Sequence, residues 1–436
     1  MPADEQRATP RDVLRLAAPA LAVLAAEPLY LLVDTAVVGR LGAVSLAALA
    51  VGGIVLAQVS TQLTFLSYGT TARTARLHGA GRRADAVAEG VQATWLALGV
   101  GVVVLVLGQL LAAPIADVLG DGGAVAQGAV DWLRIALCGA PLVLVTLAGN
   151  GWMRGVQDTA RPLRYVLVGN GLSALACPVL VHWVGMGLPG SAVANVAGQL
   201  ASATLFLRAL VRERVALRPQ PAVLRAQLRL GRDLVLRSLA FQACFLSAAA
   251  VAARFGAATL AAHQIVLQLW FLMALVLDSL AIAAQALVGA ALGAGGAVRA
   301  RALAWQVTRY GLWLGVAAGA VFAALADPLP RLFTPDAAVL AAVPAAWWFF
   351  VALQPVGGVV FALDGVLLGA GDAAFLRTST LLAAALGFLP LTWAALVFDW
   401  GLVGIWAGLA TFMMIRLIAV VTRTRGASWA VLGATR

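Results

Sequence analysis

Residues 38–48 read VGRLGAVSLAA, and residues 252–262, which lie 214 positions later, read AARFGAATLAA. The same offset aligns two further pairs of motifs without a gap: GLPG (187–190) with GLVG (401–404), and NGWMRGVQD (150–158) with DGVLLGAGD (364–372). Agreement at one offset in such distant places predicts an internal duplication, in which both halves of the chain fold alike.

The composition indicates a membrane protein. Of the 436 residues, 62% are hydrophobic and 11% are charged, and the mean hydropathy is +0.94. Apolar runs of about 20 residues, long enough to cross a hydrocarbon core of about 30 Å, recur from end to end. They predict an all-α membrane protein with twelve transmembrane helices, at about 14–39, 45–70, 89–113, 129–150, 163–184, 190–211, 231–254, 260–286, 303–325, 342–367, 375–398 and 402–423.

The repeat and the helix count together predict two lobes of six helices. The sequence predicts an N-terminal lobe over residues 1–211, a cytoplasmic linker over 212–230 and a C-terminal lobe over 231–436. Pro219 and Pro221 exclude a continuous regular helix across the linker. Because six is even, both copies enter the membrane in the same orientation, and transporters built from such parallel repeats bind substrate near the bilayer midplane.

The positive charge of the chain is a signal of topology. The net charge is +11, and all 30 basic residues are Arg. They cluster before the first predicted span and in the even-numbered loops, whereas the odd-numbered loops carry few, such as Arg40, Arg254 and Arg331. The positive-inside rule then predicts that both termini are cytoplasmic. A nucleic-acid partner is not expected.

The residues present argue against an enzyme and against a metal site. Without Lys there is no phosphate-binding lysine for ATP hydrolysis, so uphill transport would draw on an ion gradient. GAGD (369–372) fits the pattern Gly-x-Gly-Asp, which can mark an intramembrane aspartyl protease, but here it aligns with GVQD (155–158) and the sequence has no Tyr-Asp partner. Cys138, Cys177 and Cys244 show no metal-ligand spacing.

The first predicted span contains two acids, Glu27 and Asp34, in EPLYLLVDTAVVGRLG (27–42). An ionisable group at membrane depth costs about 2.5–3.5 kcal/mol, so it usually faces the protein interior and has a function. Seven residues of helix place both acids on one face, about 10 Å apart. Pro28 removes a backbone hydrogen bond between them and is the candidate helix hinge. We interpret Asp34 and Glu27 as cation-coupling residues, because a carboxyl group in a low-dielectric cavity can exchange a proton when water enters.

A structural role for these acids is the alternative. Polar side chains of neighbouring spans could satisfy the acids and hold the helices together. The candidate partners are Gln58, Gln62 and Asn170. Together with Ser173, they form a predicted polar cavity in the N-terminal lobe.

The C-terminal lobe has its own candidate polar site, formed by Asp278, His263 and Asp364. Asp364 aligns with Asn150 in the repeat, so this position is polar in both halves and charged in one. Helix capping and loop anchoring are the alternative roles for these residues.

Four motifs together resemble the multidrug and toxic compound extrusion (MATE) family, in its DinF-like branch. They are the first-helix motif, AAHQI (261–265), LDSLAIAAQALVGAALG (277–293) and DGVLLGAGD, and the resemblance covers nearly the whole chain. It implies twelve helices in two lobes around a V-shaped cavity, and export of amphipathic, often cationic compounds against an inward flow of protons or sodium ions. Asp34 matches the family's coupling aspartate, whose protonation bends the first helix.

One departure from the family pattern concerns the fifth helix. Many relatives carry Asn-x-x-x-Asp-Pro there, and its Asp partners the first-helix acid. In GNGLSALACP (169–178) these two places are Ser173 and Cys177. Asp34 is therefore expected to act with Glu27 or nearly alone, and protons are favoured over sodium, which needs several hard oxygen ligands.

The sequence thus predicts a proton-coupled antiporter in a bacterial plasma membrane, with amphipathic small molecules, protons and membrane lipids as partners and no cofactor. The alternative is a flippase for a lipid-linked precursor. A flippase would need a basic cavity for a pyrophosphate, for which Arg134 and Arg237 are the main mid-span candidates.

Overall fold

The computed structural model describes residues 8–120 and 122–434, and every regular element in these ranges is helical. Two π-helical turns, Val179–Trp183 and Ala384–Phe388, follow the seventh and fifteenth helices. In chain order the α-helices are α1 (Pro10–Gly39), α2 (Ala43–Leu63), α3 (Phe65–Gly79), α4 (Arg83–Gly120), α5 (Gly123–Leu137), α6 (Ala140–Gly155), α7 (Ala160–Pro178), α8 (Leu188–Arg212), α9 (Pro221–Arg254), α10 (Ala257–Gly293), α11 (Ala297–Ala324), α12 (Pro328–Arg331), α13 (Ala337–Ala342), α14 (Pro344–Gly369), α15 (Ala373–Ala383), α16 (Leu389–Val397) and α17 (Gly401–Arg425).

The number of membrane spans agrees with the prediction. Over the described residues, eleven helical stretches are long and apolar enough to cross a bilayer, and the pair α5 and α6, bent by 47°, would make a twelfth. Large apolar side chains such as Leu107, Leu110 and Leu111 of α4 are exposed. An apolar outer surface is what the hydrocarbon interior of a membrane requires.

Several helices extend beyond their predicted bounds. The third predicted span, 89–113, lies inside α4, and the seventh, 231–254, is preceded by ten further helical residues of α9. Arg83 and Asp85 in the first turn of α4, and Arg225 and Arg229 in the first ten residues of α9, interrupt the apolar run, so hydropathy alone does not extend the spans over them. Pro221 is the first residue of α9, where its missing N–H is harmless because no helical partner exists for it there. The second half of the predicted linker is therefore helical.

Side chains of α4 fix the non-helical part of the linker. Gln92 donates to the carbonyl of Arg218 at 3.0 Å and accepts from the backbone N–H of Gln220 at 2.6 Å. The indole N–H of Trp95 donates to the carbonyl of Leu217 at 2.8 Å. Side chains of α4 thus satisfy backbone groups of the segment before α9, which has no regular secondary structure to do so.

The chain divides into two compact units. The N-terminal unit comprises Ala18–Gly231, and the C-terminal unit comprises Arg232 onward together with the residues up to Ala17. The first described residues are attached to the C-terminal unit by Gln306 of α11, which accepts from the N–H of Ala8 at 3.2 Å and donates to its carbonyl at 2.5 Å. The helix α1 therefore begins in one unit and continues in the other.

Each unit is packed around its own apolar core. Trp132, Leu133 and Leu137 of α5 belong to one cluster in the N-terminal unit. The largest cluster lies in the C-terminal unit and is rich in aromatic side chains, among them Trp347 and Phe412. Burial of such aromatic side chains is a large part of what holds a unit together.

Glycines at equivalent places bring helices into backbone contact in both units. A Cβ atom at Gly151 of α6 would lie 2.7 Å from the carbonyl oxygen of Ser67 on α3. A Cβ atom at Gly365 of α14 would lie 2.2 Å from the carbonyl oxygen of Ala281 on α10. Both distances are too short for any side chain, and close approach at small residues is typical of membrane helices. These contacts fix the positions of the neighbouring residues Asn150 and Asp364.

Candidate functional site

The carboxyl group of Asp34 is buried in the N-terminal unit, with 1% of the residue exposed. The thiol of Cys177 on α7 donates to its Oδ1 atom at 3.2 Å, and the hydroxyl of Ser191 on α8 is a second hydrogen-bonding neighbour. Ser191 in turn accepts from the indole N–H of Trp132 at 2.8 Å. Among the described residues, no arginine lies close enough to pair with Asp34. Its immediate partners are therefore neutral.

Further polar groups of α1, α7 and α8 lie around this carboxyl group. Tyr30, one turn before Asp34, is buried, and its hydroxyl lies near Asn195 without forming a regular hydrogen bond. Ser173 donates to the carbonyl of Ala194 at 3.1 Å and so joins α7 to α8. Ser173 is buried at this contact rather than at the cavity described next.

A cavity of about 340 Å³ lies within the N-terminal unit. Ligand pockets of about 300–1,000 Å³ are typical for small molecules. Its wall combines apolar side chains of α1, such as Val23 and Leu31, with polar groups from five other helices. The polar and charged lining residues are Glu27, Ser60, Thr61, Thr64, Ser67, Tyr68, Thr146, Asn150, Arg154, Asn170, Gln199 and Ser202.

Three of the predicted N-terminal residues, Glu27, Pro28 and Asn170, line this cavity, and Glu27 is exposed in it. Gln58 and Gln62 do not, because each follows a lining residue of α2 by one position and so points about 100° away around the helix. Asp34 is also absent from the wall. The structure therefore places the two acids of α1 in different surroundings, Glu27 in an open cavity and Asp34 in a closed polar cluster.

Arg154 is a charged lining residue that was not predicted as part of a site, because from the sequence it counted only among the arginines of the even-numbered loops. It is buried at the end of α6, and its Nη1 atom donates to the hydroxyl of Ser67 at 3.3 Å. It lies one turn after Asn150, which also lines the cavity. This spacing of four residues could have identified it, because i and i+4 side chains share a helix face.

In the C-terminal unit, Asp364 forms ion pairs with Arg237 of α9 and Arg416 of α17. Arg416 has 2% of its side chain exposed, and its guanidinium lies over the rings of Phe241 and Phe412, 5.0 and 5.4 Å from their centroids. Arg416 was not among the residues predicted from the sequence. The signal was a lone arginine within the apolar run of the last predicted span.

The other two C-terminal candidates lie on α10. His263 is buried with its ring edge-on to Trp406, 6.1 Å between centroids, and neither ring nitrogen has a hydrogen-bond partner in the described structure. Asp278 is half-buried and has an interaction partner. Within residues 8–120 and 122–434, no group of three His, Cys, Asp or Glu side chains is placed to hold a metal ion.

Comparison with known proteins shows similarity over nearly the whole chain. The family model described as MatE matches residues 19–179 and again residues 234–393. Protein DETOXIFICATION 44, chloroplastic, of Arabidopsis thaliana is 35% identical over 437 aligned residues, which cover 97% of this chain and 84% of the relative. The DNA damage-inducible protein F of Escherichia coli strain K12 is 30% identical, covering 89% of this chain and 86% of the relative.

Solved structures of other proteins share this fold. A crystal structure of MATE in the bent conformation superposes with a TM-score of 0.89 at 21% identity, covering 95% of this chain and 94% of that one. A MOP superfamily transporter from Pyrococcus furiosus superposes with a TM-score of 0.86, also at 21% identity, with 95% and 94% covered. At this identity the structures show a shared fold.

Proposed function

Because this chain belongs to the MatE family of multidrug and toxic compound transporters, we propose that it is a proton-coupled antiporter exporting amphipathic, often cationic compounds. In this proposal the cytoplasm is the source of the substrate and alternating access the mode of transport. The observation that carries the proposal is the buried carboxyl group of Asp34, whose hydrogen-bonding neighbours on other helices are a thiol and a hydroxyl.

The neutral surroundings of Asp34 favour a coupling role. An ionised carboxyl group at membrane depth costs free energy unless a cation neutralises it, and a thiol or hydroxyl supplies no charge. A proton would remove this cost, and the proton would leave when water reaches the site. Occupancy of Asp34 by a proton would then favour one conformation over another, which is how a ligand shifts an equilibrium.

A sodium ion is less well supported at this position. Sodium, like other hard cations, is held by several oxygen ligands. The partner of Asp34 on α7 is the sulfur of Cys177. In the family pattern that the sequence resembles, many members carry an aspartate at this place. The chain thereby offers one carboxyl group in place of two, which suits a proton better than a metal ion.

Because Glu27 and Asp34 lie in different surroundings, they are proposed to have different roles. Glu27 places a negative charge in a cavity whose wall is partly apolar, and this combination suits an amphipathic cation. Pro28 interrupts the hydrogen bonding of α1 next to Glu27 and is proposed as the hinge by which α1 responds to proton binding at Asp34. We propose that Glu27 contacts substrate and Asp34 binds the proton.

A flippase for a lipid-linked precursor has weaker support. Arg134 is exposed on α5, and Arg237 is paired with Asp364. In the cavity of the N-terminal unit, the single arginine Arg154 is accompanied by Glu27. A pyrophosphate would require more uncompensated positive charge than these residues supply.

The location proposed for the protein is the plasma membrane of a bacterium, with both termini in the cytoplasm and the membrane lipids as its surroundings. The arginine distribution supports this orientation.

The experiment that tests this function is a measurement of pH change on adding solute to proteoliposomes. With an outward-directed solute gradient and an internal pH dye, we expect solute efflux to be accompanied by proton influx, in sodium-free buffer and equally with sodium present. Proton movement that appears only with sodium would refute proton coupling. Absence of any solute-dependent flux would refute the transport function.

A further inference from the structure

The ion cluster of the C-terminal unit, defined as Arg237, Asp364 and Arg416, leaves part of its hydrogen-bonding capacity unused. Both arginines donate through Nη2 to the same carboxylate oxygen, Oδ2 of Asp364. In the described structure, Oδ1 of Asp364 and Nε of Arg237 have no partner. An unpartnered buried donor on a guanidinium costs free energy and is a binding opportunity for an acceptor.

The cluster also carries one positive charge in excess, because two guanidinium groups face one carboxylate. The nearest acid on the same helix, Asp233, is one turn before Arg237 and is already paired with Arg377 at 2.6 Å. The aromatic ring of Phe241 faces both arginines of the cluster, and such contacts compensate a buried cation only in part. An excess charge within membrane-spanning helices is costly, so an anion is the missing partner.

The internal repeat places this cluster where the N-terminal unit has its cavity. At the offset of 214 residues, Arg237, Asp364 and Arg416 align with Val23, Asn150 and Ser202. All three of these N-terminal residues line the 340 Å³ cavity. The equivalent positions of a duplicated framework therefore contact a cavity in one half and carry unbalanced charge in the other. Arg237 keeps 15% of its side chain exposed, so the cluster is not completely enclosed by protein.

We propose that Arg237 and Arg416 form a binding subsite for an oxyanion, a carboxylate or phosphate group of the substrate, and that Asp364 occupies this subsite when no substrate is bound. The planar guanidinium group suits both kinds of oxyanion. This inference rests on the proposed transport of amphipathic solutes and extends it. Substrates of this protein would include zwitterionic or anionic amphipathic molecules, with one oxyanion matched to the one excess charge.

The test compares two dyes that differ in a single group. Rhodamine 19 carries a free carboxylate, and rhodamine 6G is its ethyl ester. Binding of each dye to the purified full-length protein in phosphatidylcholine nanodiscs is measured by fluorescence anisotropy. We expect Arg237→Gln to weaken binding of the carboxylate dye about tenfold, as loss of a hydrogen bond to a charged group does, with less than a twofold effect on the ester.

Removal of the charge of Asp364, which competes with the ligand for the two arginines, should change binding of the carboxylate dye in the opposite direction. Asp364→Asn is expected to strengthen binding of the carboxylate dye about tenfold, because the arginines become free for the ligand. Arg232→Gln is the matched control, since Arg232 lies on the same helix with 64% of its side chain exposed, and it should change neither dye. Repeating the titration with phosphatidylglycerol in the nanodisc shows whether a lipid phosphate competes for the same subsite. If phosphatidylglycerol weakens binding of the carboxylate dye to wild type but not to Arg237→Gln, a lipid phosphate also occupies the subsite. If phosphatidylglycerol has no effect on wild type, the subsite is selective for the oxyanion of a soluble substrate.

The subsite would be overturned by equal binding of the carboxylate dye to wild type and Arg237→Gln, or by weaker binding to Asp364→Asn. Complete absence of carboxylate-dye binding would overturn it as well. Failure of the ester to bind any variant counts against the proposed transport of amphipathic cations, and it is therefore distinguishable from failure of the subsite.

Discussion

The two halves of this chain share a helical framework and differ in what they bury. Gly151 and Gly365 make the same backbone contact at the same place in the repeat, with Ser67 and Ala281 as partners that are themselves 214 residues apart. The residues beside them diverge in chemistry. Helix packing in a duplicated membrane protein is thus set by small residues, and the polar chemistry between the helices can change without altering it.

The divergence is clearest at the positions around the N-terminal cavity. Val23, Asn150 and Ser202 are small or neutral there, and the wall stays open to a cavity. The equivalent C-terminal side chains are the three charges of the ion cluster, which are held together by ion pairs. In the C-terminal unit, large charged side chains that attract one another occupy the repeat positions that line a cavity in the N-terminal unit.

The buried acid of α1 also exists in one half alone. Asp34 aligns with Ala248, a buried member of the apolar core of the C-terminal unit. Its partner Cys177 aligns with Leu391. A proton-binding function built on Asp34 would therefore belong to the N-terminal unit, and the C-terminal unit would contribute charge selectivity through its arginines.

The largest difference between the halves is expected in stability. Arg416→Met should lower the free energy of unfolding by about 3 kcal/mol, because it removes a buried hydrogen bond to the charged carboxylate of Asp364 and the contacts of the guanidinium with Phe241 and Phe412, although Asp364 keeps Arg237 as a partner. Its repeat equivalent, Ser202→Ala, should lower it by about 1 kcal/mol, the value of one ordinary hydrogen bond. Unfolding by sodium dodecyl sulfate in mixed micelles measures both. Equal effects would show that the cluster adds no more stability than a neutral contact.

The helix packing that the two halves share predicts a smaller loss of stability than Arg416→Met causes, and an equal one in both units. Gly151→Ala and Gly365→Ala should each lower the free energy of unfolding by about 2 kcal/mol, since the added methyl group forces two backbones apart. Gly53→Ala is the control, because nothing lies within 4 Å of a Cβ atom there. The same micelle titration applies. A large cost in one unit and none in the other would contradict equivalent packing.

The cavity of the N-terminal unit gives the smallest expected effect. Glu27→Gln should weaken binding of rhodamine 6G about tenfold by removing the negative charge in the wall, with coupled proton movement intact at saturating dye. Gln58→Glu is a useful counterpart, since Gln58 does not line the cavity and a charge there should not strengthen binding. If Glu27→Gln abolished proton movement at all dye concentrations, Glu27 would share the coupling role.

The sequence predicted the fold well because both of its main signals are additive along the chain. Apolar length identified the spans, and a constant offset identified the repeat. The polar sites were predicted less completely. Asp34 and Glu27 were found as acids at membrane depth, but their separation into a closed cluster and an open cavity depends on which way each side chain faces within a packed unit.

Arginine was the main source of error. Arg154 lies at the end of α6 and Arg416 lies within α17. The positive-inside rule explained an arginine at the position of Arg154 without reference to its contacts. Hydropathy could not reveal that α9 begins at Pro221, or that residues before Ala18 pack with the C-terminal unit, because both depend on tertiary contacts. Such contacts override local preferences routinely.

The central claim is that Asp34 binds the coupling proton, and Asp34→Asn tests it most directly. Proteoliposomes containing this variant are compared with wild type and with Asp12→Asn, an exposed acid at the start of the same helix. The account predicts that Asp34→Asn still binds rhodamine 6G but neither accumulates it on an imposed pH gradient nor moves protons when dye is added, while Asp12→Asn behaves as wild type. Gradient-driven accumulation by Asp34→Asn at the wild-type rate would contradict the account.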